Sequence, residues 1–215
     1  MINNPLHAEI VKFANWFCDE RIQTFQKDMN ICMTPNRHGS HAYVPAVMGC
    51  ASFIELFAGL FAGCINRSVG IKHILNFTKS FLDSSEFTEE CVCLFFAMYR
   101  HKVAHLSRPY SVFDSYDVNK KNPLLNYLQR RFTWKITATE TKPAIQIISQ
   151  TGEVPKYRRP SWKTAQYTHI CEIHLKRLIM ELPKAVSGSS GYLKRLSADP
   201  KVRANFKKCM DSFYP

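Results

Sequence analysis

The stretch Glu89-Glu90-Cys91-Val92-Cys93-Leu94-Phe95-Phe96-Ala97-Met98-Tyr99-Arg100-His101-Lys102-Val103-Ala104-His105-Leu106 constrains the fold more than any other part of the chain. Val92, Phe96, Tyr99, Val103 and Leu106 recur at i, i+4, i+7, i+11 and i+14. That spacing is one face of an α-helix, and Leu94, Phe95 and Met98 widen it. Asp83, Ser84 and Ser85 supply turn and N-cap chemistry ahead of it. Glu86, Glu89 and Glu90 stand near its start, where negative charge suits the positive end of the helix dipole. Pro109 stops the run. The pattern predicts a buried helix that carries Arg100, His101, Lys102 and His105 at its C-terminal end. One meaning of that cluster is charge matching, because cations are favoured at a helix C-terminus.

With 215 residues, 46% of them hydrophobic, the chain can bury a sizeable core and is not globally disordered. Its net charge of +12 is unevenly placed. Residues 1–119 hold 10 basic and 11 acidic residues, whereas residues 120–215 hold 19 and 6. Such a basic region attracts nucleic acid or another polyanion, or aids solubility. The eight cysteines show no Cys-x2-Cys pair and no secreted framework; Cys91 and Cys93 fall inside the apolar helix. No basic segment followed by an apolar one opens the chain, and Ser52 and Glu55 interrupt the most apolar window. A soluble, cytoplasmic protein with no membrane association is expected.

In chain order, a first helix is predicted from Pro5 to about Met29, with Ile10, Phe13, Phe17, Ile22 and Phe25 as its stripe. A loop with His38 and His41 leads to a second helix from about Pro45 to near Cys64, rich in small residues. A shorter helix covers about Ile71 to Leu82. Phe132–Ala138 and Ala144–Ser149 alternate in twos around a five-residue loop, which predicts a β-hairpin inserted at 131–150. Lys156-Tyr157-Arg158-Arg159-Pro160-Ser161-Trp162-Lys163 reads as a basic connector of the kind that also stacks bases and holds phosphates. Basic helices are predicted over 164–215: one from about Thr164 to before Gly188, and one opened by Asp199 as N-cap and Pro200 at N1. The expected fold is mainly α, a single helical domain over 1–215 with one hairpin insertion.

The chain has no Gly-rich phosphate loop, no Gly-x-Ser-x-Gly elbow and no His-Glu-x-x-His pair. His101 and His105 share a helical face at metal-ligand spacing, but no third ligand is near, and His169-x4-His174 is weaker. No metal or cofactor is expected.

Arg100 followed by the polar His101, then by His105 as Arg-x4-His at the end of an apolar helix, resembles the HEPN superfamily (higher eukaryotes and prokaryotes nucleotide-binding domains). Tyr99, Val103 and Ala104 around the motif also look like that family, as does the helix Ala51–Phe61. The resemblance covers roughly residues 45–110 and leaves the hairpin and the basic tail without counterpart. It implies a helical bundle that pairs as a symmetric homodimer. It also implies metal-independent endoribonuclease activity in active members, and nucleotide or partner binding in others. A toxin role, with an antitoxin partner, or a role in phage defence follows from the same analogy.

Metal-free RNA cleavage needs a base for the 2′-OH, an acid for the leaving 5′-oxygen and positive charge on the phosphorane. An imidazole titrates near neutral pH, and a guanidinium grips phosphate oxygens in pairs. These roles suit His105 as base or acid, Arg100 as charge stabiliser and His101 as a second proton-transfer or orienting group. Lys102 and Arg108 would hold flanking phosphates. On an ideal helix Arg100 and His105 diverge by roughly 140°, so a frayed helix end or a two-fold axis is needed to bring such groups together. A competing class is a non-catalytic RNA, nucleotide or partner-binding module, and the plainest is a structural helical dimer.

Overall fold

The computed structural model describes residues 5–64, 69–100, 113–114, 130–158 and 161–214. They are mainly helical and carry one sheet. The helices are α1 (Pro5–Met33), α2 (Tyr43–Ala62), α3 (Ile71–Phe81), α4 (Glu89–Phe95), α5 (Leu175–Ser187), α6 (Tyr192–Ala198) and α7 (Pro200–Phe213). A π-helical turn, Phe96–Arg100, continues α4. The strands are β1 (Phe113–Asp114), β2 (Arg131–Thr137), β3 (Ile145–Arg158) and β4 (Ser161–His174). The chain divides into two compact units, each built from discontinuous segments, and the division falls inside α2 and α5. One unit comprises Met1–His41, Ser52–Asp83 and Ile179–Pro215; the other comprises Ala42–Ala51 and Ser84–Leu178.

In the first unit, α1 buries Ala14, Phe17, Cys18, Ile22, Phe25 and Met29, spaced as one helical face. Phe13, expected in that stripe, is 37% exposed and Trp16 is 54% exposed, so two small residues, Ala14 and Cys18, take the core positions instead. Phe57, Phe61, Phe77, Phe81 and Tyr192 form an aromatic cluster whose closest pairs lie 5.1 Å apart between ring centroids. After α2, Gly63 adopts φ +71° and its N–H returns to the Gly59 carbonyl at 2.8 Å, a left-handed helix cap that favours glycine. Asn205 of α7 donates from Nδ2 to the Phe61 carbonyl at 2.7 Å and satisfies another of that helix's last acceptors. Asp199 caps α7 by accepting from the Lys201 N–H at 2.9 Å, with Pro200 in the first turn, as its sequence implies.

The second unit holds α4, the π-turn and the sheet. Strand order is β1-β2-β4-β3. β4 runs parallel to β2 and antiparallel to β3. The expected hairpin is therefore corrected: Arg131–Thr137 and Ile145–Arg158 are both strands, but β4 lies between them. The hairpin that does form joins β3 to β4, with Lys156 opposite Lys163 and Tyr157 opposite Trp162. The basic connector is thus the far end of two long strands. The helix expected from Thr164 begins only at Leu175, because Ser161–His174 is strand. Ile170 and Ile173 fit a helical spacing, yet in β4 they stand on opposite faces, and both are buried. A central strand covered on both sides loses the alternation that marks a strand in sequence.

Backbone hydrogen bonds tie the start of α5 to the β2–β3 loop. The His174 N–H reaches the Ala144 carbonyl at 2.9 Å, and the Arg177 N–H reaches the Thr139 carbonyl at 3.2 Å. Cys171 on β4 is fully buried, and α4, whose Cys91, Val92, Cys93, Leu94 and Phe95 are all buried, packs against β3 and β4. Among the described residues, α2 is the one helix long and apolar enough to cross a membrane, and 56% of its most apolar window is buried.

Candidate functional site

Thr88 starts α4: its side-chain oxygen accepts from the Cys91 N–H at 3.3 Å. It fills the N-cap place expected of Asp83, Ser84 or Ser85. Glu89 and Glu90 occupy the first turn, as dipole matching predicts. Glu90 also meets Arg130 Nη1 at 3.3 Å. Five buried residues in sequence then carry the rod into Phe96–Arg100, where the hydrogen-bond register changes to the π type. Arg100 is the last residue of that turn. His101, Lys102, His105 and Arg108 lie outside the described residues.

Tyr99, immediately before Arg100, is fully buried and packs against Phe95 with centroids 5.6 Å apart. Its hydroxyl has no hydrogen-bond partner among the described residues. Burial first, and then the neighbouring Cys171 thiol, push the phenol well above its ordinary range. It is therefore a neutral core group. The π-turn is held from below by this apolar packing.

Two polar nodes that no motif announces brace the same unit. Glu86, 2% exposed, is gripped by Arg177: Nε to Oε2 at 2.8 Å and Nη2 to Oε1 at 2.6 Å. Lys142 Nζ adds a contact at 3.2 Å. The Arg177 hydrogen bond, against burial and with help from Lys142, holds the Glu86 carboxyl below the ordinary carboxylate range. Glu86 was expected to serve the helix dipole; it is instead the buried anion of a three-residue node.

The second node centres on Glu172, 5% exposed on β4. Lys135 Nζ reaches Oε1 at 2.8 Å and Gln146 Nε2 donates to Oε2 at 2.7 Å. Burial pushes this carboxyl up, but the hydrogen bonds from Lys135 and Gln146 and the charges of Lys135 and His174 outweigh it, and the net shift is downward. His174 Nδ1 lies 2.7 Å from the Pro143 carbonyl, which only accepts, so Nδ1 carries the hydrogen. Nε2 faces Glu172 Oε2 at 3.5 Å. With both side chains under a tenth exposed, the pair is closed to a large substrate, and Glu172 links β4 to Lys135 of β2 and Gln146 of β3. One sequence signal was present for it: Glu172 is a lone charge inside the apolar run Ile170-Cys171-Glu172-Ile173. A charge so placed requires partners.

The remaining candidates separate. His169 and His174 share β4 but are five residues apart, so they stand on opposite faces. His169 packs on Phe132, and burial, then the Arg130 charge, lowers its imidazole below the ordinary value. His38 accepts from Arg37 Nε at 3.0 Å in an exposed loop. Among the described residues no group of three or more His, Cys, Asp or Glu could hold a metal ion. All eight cysteines are free, and burial pushes the Cys18 thiol up to about 12, so it is unreactive.

No family model matches the chain. No curated protein and no solved structure matches it either.

Proposed function

We propose that the chain is a HEPN-like, metal-independent endoribonuclease of the cytoplasm that acts as a homodimer and leaves 2′,3′-cyclic phosphate ends. The observation that carries this reading is the π register of Phe96–Arg100. An i→i+5 register brings a residue nearly over the one five positions later, and Arg100 and His105 are five apart. An α-helix turns the same two positions roughly 140° away from each other. The π-turn ends at Arg100, so the change of register stands directly at the start of the motif, whose His105 lies outside the described residues. π-turns inside α-helices also recur at functional sites.

In this reading His105 takes the 2′-OH proton as the 2′-oxygen attacks phosphorus, or returns a proton to the departing 5′-oxygen. His101, or His105 of a second copy across a two-fold axis, does the other. Arg100 offsets the charge that builds on the phosphorane, and Lys102 and Arg108 hold flanking phosphates. The likeness makes a toxin paired with an antitoxin, or a defence component, the biological setting. In that setting α2 is a core helix.

The test is cleavage of single-stranded RNA by the full chain in EDTA, with end-group analysis of the products. Expected are 2′,3′-cyclic phosphate ends, with His105→Ala and Arg100→Ala each slower by about 100-fold or more. Variants that cut as fast as the parent would remove the assignment.

A second reading, RNA binding without cleavage, is favoured by the β3–β4 register. It sets Lys156 opposite Lys163 and Tyr157 opposite Trp162, which gathers cations and aromatics of the basic segment at one hairpin end. Salt-sensitive RNA binding that falls in Trp162→Ala, with no cleavage under any condition, would select it.

A further inference from the structure

The first unit contains a cleft of about 350 Å³ lined by Phe61, Ser80, Phe81, Ser190, Lys194 and Arg195. Its size falls in the range of small-ligand sites. Phe61 and Phe81 are half-buried and meet edge to face, with centroids 5.1 Å apart. They form an aromatic wall that remains open to solvent. Ser80, Ser190, Lys194 and Arg195 are exposed around it. No carboxylate lines the cleft. Among the described residues Arg195 is engaged only through Nε, by Asp199 at 3.2 Å, and both terminal amino groups of that guanidinium have no partner there. The Lys194 ammonium has no partner among the described residues.

The Ser80 hydroxyl already donates to the Asn76 carbonyl at 2.7 Å, so two cations and the Ser190 hydroxyl stand beside the aromatic wall, which matches a ligand with a flat ring at one end and a phosphate at the other. The wall offers stacking, the guanidinium offers paired donors to phosphate oxygens, and the ammonium adds a point charge. We propose that this cleft binds a nucleotide unit, its base against Phe61 and Phe81 and its phosphate between Lys194 and Arg195. The unit is either a free nucleoside monophosphate or one residue of a single-stranded RNA. The proposal does not rest on the cleavage reading, which concerns Arg100 and His105.

The full chain is titrated calorimetrically with AMP, adenosine, inorganic phosphate and a short 5′-phosphorylated RNA. AMP is expected to bind about tenfold tighter than adenosine or phosphate, because only AMP engages wall and cations together. Lys194→Ala and Arg195→Gln are each expected to weaken AMP about tenfold. Ala198 also lines the cleft, and Ala198→Trp, which adds an indole there, is expected to abolish binding. These three positions are exposed, so the variants keep the fold, and thermal melting checks this. If AMP is too weak to measure but the RNA loses affinity in the same variants, the cleft serves an RNA residue. If neither ligand is affected by any of the three, the proposal is wrong. Cleavage is read from RNA ends, so its failure and the failure of the cleft are told apart.

Discussion

Arg177 and Glu86, 91 residues apart in sequence, are joined by two parallel hydrogen bonds of 2.8 and 2.6 Å. The Glu86 side chain is 3% exposed and that of Arg177 is 15% exposed, so water screens the pair little. It fastens the turn before α4 to the first turn of α5, on either side of the sheet in chain order. The rod that ends in Arg100 starts from this anchor.

Removing one partner of a buried pair leaves the other charge unpaired, which costs about 3–5 kcal/mol. Arg177→Ala is therefore expected to destabilise the protein by about 3 kcal/mol in urea unfolding, since Lys142 still contacts Glu86 at 3.2 Å. Replacing both residues, Glu86→Leu with Arg177→Met, is expected to recover most of that loss. A double variant no more stable than Arg177→Ala would show that hydrophobic packing cannot replace the pair.

Acid should weaken the second unit in a defined window. Glu86 and Glu172 both have folded-state carboxyls below their ordinary value of 4.5. Each therefore contributes stability that is fully present above that value and is lost as pH falls through the lower, folded value. Unfolding free energy measured from pH about 7 to about 3 is expected to fall below pH 4.5. In Arg177→Ala the fall should be shallower, because the largest cause of the Glu86 shift is gone.

Tyr99→Phe removes a buried hydroxyl with no partner among the described residues and keeps the ring. An unsatisfied buried polar group costs about 1–3 kcal/mol, so the change is expected to be neutral or stabilising by about 1 kcal/mol. Chemical denaturation measures it. A loss of more than about 1 kcal/mol would mean that the hydroxyl is hydrogen-bonded by a residue outside the described ones.

Gly63→Ala meets two obstacles at once. The backbone stands at φ +71°, and an added Cβ would lie 2.8 Å from Asn205 Oδ1. The expected loss is about 1–2 kcal/mol. In an Asn205→Ala background the steric part disappears, and the remaining difference reports the left-handed backbone alone. Thermal unfolding of the four proteins completes the cycle.

Much of the helical layout was legible in the sequence because it rests on local spacing. α2, α3 and the start of α7 follow apolar period and capping residues within a few positions of one another. Sequence also located β2 and the first half of β3, since both alternate in twos. The reading failed at Ser161–His174: over Ile170–His174, burial on both faces of β4 erased the alternation. It failed again at Glu86 and Phe13, whose environments depend on distant residues. For the candidate site, sequence alone supplied Arg100, His101 and His105 together with the apolar rod before them. The π-turn at Arg100 had no signal, because nearly every residue from Cys91 to Tyr99 is buried, so a rotation of the helix face there does not show in the apolar pattern.

Residue type and spacing determined most of the helices, the strand character of β2 and the start of β3, the cap of α7 and where charge gathers, because those are interactions between neighbours along the chain. Tertiary structure decided which strands pair, which carboxylates are buried with which cations, and which aromatics face solvent. Those outcomes depend on residues dozens of positions apart, and no local pattern encodes a partner that arrives only when the chain folds.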